Sequence, residues 1–215
     1  MIVFLGFQSF SHADEAPRVG RGAAAKYFEK RSPDASEEEE TNNAPATKST
    51  SGSDSAHYLA IHYGKMMSST SYEWGTPNKQ TDVGDFTAGL TYRIGEWHNS
   101  MDLNLRIDFI QYKVDGEGEQ KPLKMSILPL ITFPDAASKF PLYFGFGIGP
   151  GVFFRQTDHE ASLSLDYQLI AGARFFDVFE NAGFFIESGL KNHLQLWDQG
   201  QFNGTFLSAG AVFTF

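Results

Sequence analysis

Residues 205–215 read TFLSAGAVFTF. In an extended chain, successive side chains point to opposite sides. Leu207, Ala209, Ala211, Phe213 and Phe215 therefore share one face, and Ser208, Gly210, Val212 and Thr214 share the other. The first face is apolar and ends on an aromatic ring. The second is mostly small or polar. Such a strand turns its apolar face either to a protein core or to lipid. If lipid, the chain must supply a closed sheet, because an unpaired strand edge does not survive in hydrocarbon.

The same period of two returns seven times upstream. The pattern predicts strands over 57–66, 85–94, 101–109, 123–133, 142–152, 163–175 and 183–191, with 205–215 as the eighth. Leu59, Ile61 and Tyr63 share one face of the first; Leu142, Phe144, Phe146 and Ile148 share one face of the fifth. Each segment approaches the nine to eleven residues that a tilted crossing needs. Pro129 cannot donate to a ladder, so a bulge or slip is expected near it. The odd-numbered connections (67–84, 113–122, 154–162, 192–204) read as loops and the even-numbered ones as short turns. That alternation of long and short is expected when both barrel ends lie on one side of a membrane.

Composition agrees with lipid without demanding it. Hydrophobic residues are 41% of the 215, and mean hydropathy is negative. A barrel needs apolar residues only at every second strand position, so bulk hydropathy does not reveal it. No run approaches the roughly 18 apolar residues of a spanning helix. The 21 Phe and the 15% aromatic content point to interfacial girdles. Tyr58, Tyr92, Trp97, Phe109, Tyr112, Phe133, Phe175, Phe176 and Phe179 are the expected members. No Cys is present, which excludes disulfides and thiol chemistry. A net charge of −9 argues against nucleic acid as a partner.

The first 56 residues are of another texture. Residues 1–13, MIVFLGFQSFSHA, read as a signal peptide lacking its basic start, with small residues before Asp14. Residues 14–56 are rich in Ala, Ser, Thr, Pro and Glu and include Glu37-Glu38-Glu39-Glu40. They hold too few large apolar residues to offset ordering entropy, so a disordered acidic segment is expected. The alternating region, 57–215, is the barrel domain.

If the apolar face meets lipid, the other face lines the lumen. It would carry Arg93, Arg106, Lys124, Arg174 and Lys191 against Asp102, Asp108, Asp166 and Glu187. A soluble sandwich would wet these charges. A narrow barrel must pair them, because a lone buried charge costs several kcal/mol. An eight-stranded barrel is just wide enough for side chains to fill. An ion-pair network plugging the lumen is therefore expected, rather than an open aqueous pore.

Other candidate chemistry is weaker. Gly145, Gly147, Gly149 and Gly151 have a phosphate-loop-like spacing, but no helix follows and Pro150 interrupts. They read instead as room for bulky lumen neighbours such as Tyr143 or the arginines. His62 with Asp108 or Glu187 is a possible buried acid–base pair, or simply a satisfied lumen histidine. His193 lies near Trp197 and Asp198 in sequence, and Ser208 could approach it across the last hairpin. No His, Asp and Glu cluster has metal-ligand spacing, and no cofactor motif stands out.

With these strands in place, residues 57–215 resemble the small bacterial outer-membrane barrels of the OmpA-like, OmpX-like and opacity-protein type. LSAGAVFTF, PLYFGFGIGPGVFF and SLDYQLIAGARFF carry the resemblance. It implies an integral outer-membrane protein with periplasmic termini, in contact with lipid and lipopolysaccharide. It also implies that Phe213 and Phe215 are read by the barrel-assembly machinery. A structural or surface-interacting protein, able to meet an extracellular ligand through its loops, is the leading expectation, and a non-enzymatic one. A narrow transporter of small or apolar solutes stays open, as does a lipid-A-modifying hydrolase built from a His, a Ser and an acid.

Overall fold

A computed structural model describes residues 57–98, 100–138 and 140–215. The expected signal peptide and acidic segment lie outside the described residues. Eight long strands run in order: β1 Tyr58–Tyr72, β2 Gly84–Glu96, β3 Asp102–Tyr112, β4 Leu123–Phe133, β5 Leu142–Arg155, β6 Leu163–Phe179, β7 Ala182–Gln195 and β8 Gln201–Thr214. Each pairs antiparallel with the next, and β8 pairs back onto β1 from Tyr58–Thr214 to Tyr72–Gln201. The sheet closes with no free edge among these eight. The barrel's first and last residues meet, since the Phe215 amide donates to the His57 carbonyl at 3.0 Å. Among the described residues there is no helix, so any crossing is made by strands.

Seven of the eight strands are longer than the alternation suggested. At about 3.3 Å per residue and a tilt near 40°, roughly ten residues cross an apolar band about 25 Å tall. These strands have 11 to 17. The surplus lies mostly at the end away from His57 and Phe215, here the loop end. The loops shorten accordingly, the last to residues 196–200. The turn at 134–141 is longer than that loop, so the expected contrast in connection lengths holds only in part. Two short pieces stand on the loops: Gln80–Thr81, paired to β1, and a small hairpin of Val114–Gly116 with Gly118–Gln120.

Pro129 interrupts the ladder on one side without shifting its register. β4 pairs continuously with β3 from Leu123 to Thr132, with Pro129 opposite Leu105. Its pairing with β5 resumes beyond the proline in unchanged register, from Ser126–Gly151 to Leu130–Gly147. The proline ring sits on the outer face, where a strand tolerates it. A real shift occurs in β1 between Met66 and Ser68. Below it the even residues point inward. Above it Ser69 and Ser71 do.

The outside of the barrel is apolar over most of its circumference. Ile61, Leu90, Ile94, Phe144, Phe146, Leu169, Ile186 and Leu207 are all exposed, at 36–59%. The charged residues of the interior, from Arg93 to Lys191, turn away from this face and are buried, while Lys65, opposite Leu207, stays outside. No aqueous protein would hide its arginines and show its isoleucines, so this face is a lipid face. Trp97, Phe133, Phe179 and Phe215 crowd the end that holds the barrel termini. Tyr58 and Tyr112, expected in a girdle, point inward instead at 4% and 0% exposure. Phe176 likewise packs against Tyr58 and the Arg174 guanidinium.

Candidate functional site

The lumen is filled in layers. At the terminal end, Arg93 on β2 donates to Asp102 on β3 at 2.7 Å. Asp102 also accepts from the Ala136 amide of the turn beyond β4. Arg174 on β6 reaches across to the Tyr58 hydroxyl at 3.2 Å and caps the Pro134 carbonyl at 2.6 Å, with Asp102 at 3.7 Å.

The middle layer joins opposite walls. Arg106 on β3 straddles two carboxylates, Asp108 beside it and Glu187 on β7 across the lumen, with bonds of 3.1 Å to each. Lys191, also on β7, returns the contact to Asp108 at 2.6 Å. Glu187 further accepts from Tyr143 at 2.8 Å and from Ser208 at 3.0 Å. His62 Nε2 lies 2.8 Å from Asp108 Oδ1, and its Nδ1 has no partner. All of these side chains are buried, which makes the mutual pairing obligatory.

A third group sits nearer the loops. Lys124 on β4 pairs with Asp166 on β6 at 2.8 Å. Asp166 also accepts from Ser126 and from Ser164. The Lys124 ammonium donates to His193 Nδ1 at 2.9 Å. An ammonium has no acceptor, so His193 carries its own proton on Nε2.

All eight of the proposed network residues, Arg93, Arg106, Asp108, Lys124, Asp166, Arg174, Glu187 and Lys191, face this interior, and Asp102 with them. They divide into three groups rather than one continuous chain. The glycines of β5 make room for different neighbours than expected. A Cβ on Gly145 would meet Ile170 and Thr132, one on Gly147 Leu130, and one on Gly151 Ser164 and Asp166. Leu128, Leu130 and Ile170 are themselves buried apolar residues that the two-face pattern did not assign to the lumen. A cavity of about 30 Å³ remains between Arg106, Glu187, Tyr143, Leu130 and Ile170, room for little more than a water or two.

Ser208 does not approach His193. Ser208 is opposite Glu187 and His193 is opposite Phe202. Six residues of β8 separate them, roughly 20 Å at about 3.3 Å per residue. His193 is not at the rim with Trp197 and Asp198 either. It is 1% exposed, whereas Trp197 is 86% exposed at the tip of the last loop. Among the described residues no group of His, Asp and Glu has the arrangement of a metal site.

The most consequential residue was not singled out by alternation at all. Trp74 lies in the first loop, yet it is fully buried. Its indole enters the loop end of the lumen between Tyr112, His193 and Phe153, with ring centroids at 4.9, 4.9 and 5.6 Å. Phe202, Phe206, Val83 and Val114 complete this aromatic cap. A residue between strands has no periodicity to betray which way it points.

Filled layers inside and lipid-facing side chains outside define the type. The architecture is that of a small, closed eight-stranded membrane barrel. No protein-family model matches the chain, and no curated protein does. Among solved structures, the outer membrane enzyme PagL is 16% identical with a TM-score of 0.49, over 71% of this chain and 97% of that one. Neisserial surface protein A is 14% identical with a TM-score of 0.46, over 74% and 97%. Ail, the attachment invasion locus protein of Yersinia pestis, is 20% identical with a TM-score of 0.42, over 74% and 99%. At these identities the likeness does not extend to function.

Proposed function

We propose that the chain is an integral outer-membrane protein whose lumen is a solid core, and whose role is structural or exercised through its loops. One observation carries this reading. Nine charged side chains of the interior are buried, tie opposite walls together, and lie beneath an aromatic cap. Side chains fill the interior, and the cavity beside Arg106 and Glu187 is about 30 Å³. The reading places lipid and lipopolysaccharide against the outer face, the barrel termini in the periplasm, and the loops outside, free to meet an extracellular ligand. Phe213 and Phe215, both exposed on the outer face at the terminal end, are then available to the barrel-assembly machinery.

The test is electrical. Reconstituted in a planar bilayer, the folded protein should give a flat trace. Steady conductance steps would replace the plugged-core reading with the transporter. The hydrolase alternative makes a separate claim: expression should alter the lipid A mass spectrum, whereas the structural reading expects no change. Fractionation with the outer membrane, and a gel shift between unheated and heated samples, test the location and the barrel together.

A further inference from the structure

The first loop holds Trp74 in place by an unusual route. Glu73 and Gly75, on either side, have φ of +49° and +74°. A non-glycine residue at positive φ is strained, and such strain persists only where surrounding contacts impose it. Here the two left-handed residues turn the indole down into the lumen. The contacts that impose them come from the far side of the same loop and from two other loops. The Gly75 amide donates to Glu160 Oε1 at 2.7 Å. The indole Nε1–H donates to Gln156 at 3.0 Å. The Gln80 amide nitrogen lies 3.0 Å from the Trp74 carbonyl, Thr76 Oγ1 and the Asp115 carbonyl, while its oxygen accepts from the Asp115 amide at 2.8 Å. Residues of three loops thus meet around Trp74 and Gly75.

We propose that Trp74 is a displaceable plug, latched at the loop end by Gln80 and Glu160, with a second state in which the indole leaves the lumen. The inference rests on the reading of the lumen as filled, and adds that its loop-end layer moves. Burial of the indole favours the seated state. Strain at Glu73 and the ordering of a loop oppose it, and the latch decides the balance. A gap made of opposed terms of this kind leaves a minor state populated. The middle layer has no such feature: its charges are fixed on β3 and β7, with no positive φ at any of them. In the second state Tyr112, Phe153, His193 and Phe202 would face the loops as an open aromatic cup.

The chain has no cysteine, so one introduced thiol reports alone. Ser71 is fully buried, has no partner for its hydroxyl, and pairs with Phe202 at the level of the cup. Ser71→Cys should react with a small charged methanethiosulfonate far more slowly than Asn78→Cys, an exposed control on the same loop. Adding Gln80→Ala, or separately Glu160→Ala, should accelerate the Ser71→Cys reaction about tenfold, the factor carried by one or two net hydrogen bonds. Trp74→Ala should accelerate it further. Each variant is read only where the unheated gel shift shows a folded barrel. If Ser71→Cys alone reacts as fast as the control, the filled-lumen reading itself falls. If it is protected and neither latch variant changes the rate, the plug is a fixed part of the core and the proposal is overturned.

Discussion

The middle of the lumen and its loop end are built on opposite principles. In the middle, Arg106, Asp108, Glu187 and Lys191 face in and Ile61, Leu169 and Ile186 face out. At the loop end of β8, Phe202 and Phe206 face in and are buried, while Gln201, Asn203 and Thr205 alternate with them on the outside. Above its bulge β1 turns Ser68 and Thr70 outward beside Thr205 and Asn203, with Ser69 and Ser71 inward. On β8 the period of two is unbroken, but its polarity inverts. One side of the barrel therefore becomes, over its last turn of strand, an ordinary water-soluble barrel with an aromatic core. On β5, β6 and β7 the outer face keeps Phe154, Leu163 and Leu194 to the loop end, so the inversion does not extend to those strands. The contrast shows that the solvent outside a strand, not the strand itself, decides which face carries the apolar residues.

The comparison breaks most sharply in the middle layer. Arg106→Ala leaves Asp108 and Glu187 buried; among the described residues Glu187 then has no salt-bridge partner and Asp108 keeps Lys191. Removing one partner of a buried pair costs about 3–5 kcal/mol. The unheated gel form should convert at a markedly lower temperature, and a wild-type conversion temperature would show that the layer contributes nothing to holding the fold. On the outer face the effect is smaller and depends on position. Leu169→Arg, midway along β6 and 49% exposed, should destabilise the folded state in lipid by about 2–4 kcal/mol. Asn203→Leu, on the inverted stretch of β8, should leave it nearly unchanged. Urea unfolding in vesicles measures both, and equal costs at the two sites would erase the proposed boundary between lipid and water.

How much of this could be read beforehand follows from the same contrast. The lipid-spanning stretches alternate apolar with charged, a large difference in hydropathy, so their strands and the inward set from Arg93 to Lys191 were legible from spacing alone. The loop end of β8 keeps the spacing but exchanges the faces, β1 changes phase at its bulge, and an alternation sought with one polarity stops at Thr205. Leu128 and Ile170 were missed because a lumen expected to be charged also needs filler beside the small residues of β5. Trp74 and the convergence of Gln80, Asp115 and Glu160 upon it depend on three loops folding together, which no local pattern encodes.

The smallest expected effect concerns the latch. Burial pushes the Glu160 carboxyl up from its ordinary range, and the Asp198 carboxylate beside it pushes the same way, against the Gly75 N–H. Glu73 shares the open cleft of about 360 Å³ that Glu160 and Asp198 line, adding like charge. An acid whose folded pKa is raised binds its proton more tightly in the seated loop than in the released one. Its contribution is therefore fully present below the ordinary glutamate value of about 4.3 and is lost as pH rises through the raised one. Protection of Ser71→Cys relative to Asn78→Cys, a ratio in which the shared pH dependence of the reagent largely cancels, should fall a few-fold between about pH 4 and pH 7. Asp198→Asn removes the nearest like charge and should flatten that slope. A ratio that stays level in the unmodified loop would mean that Glu160 holds Gly75 equally well in both protonation states. The latch would then be a matter of hydrogen-bond geometry alone, without the charge crowding around Glu160.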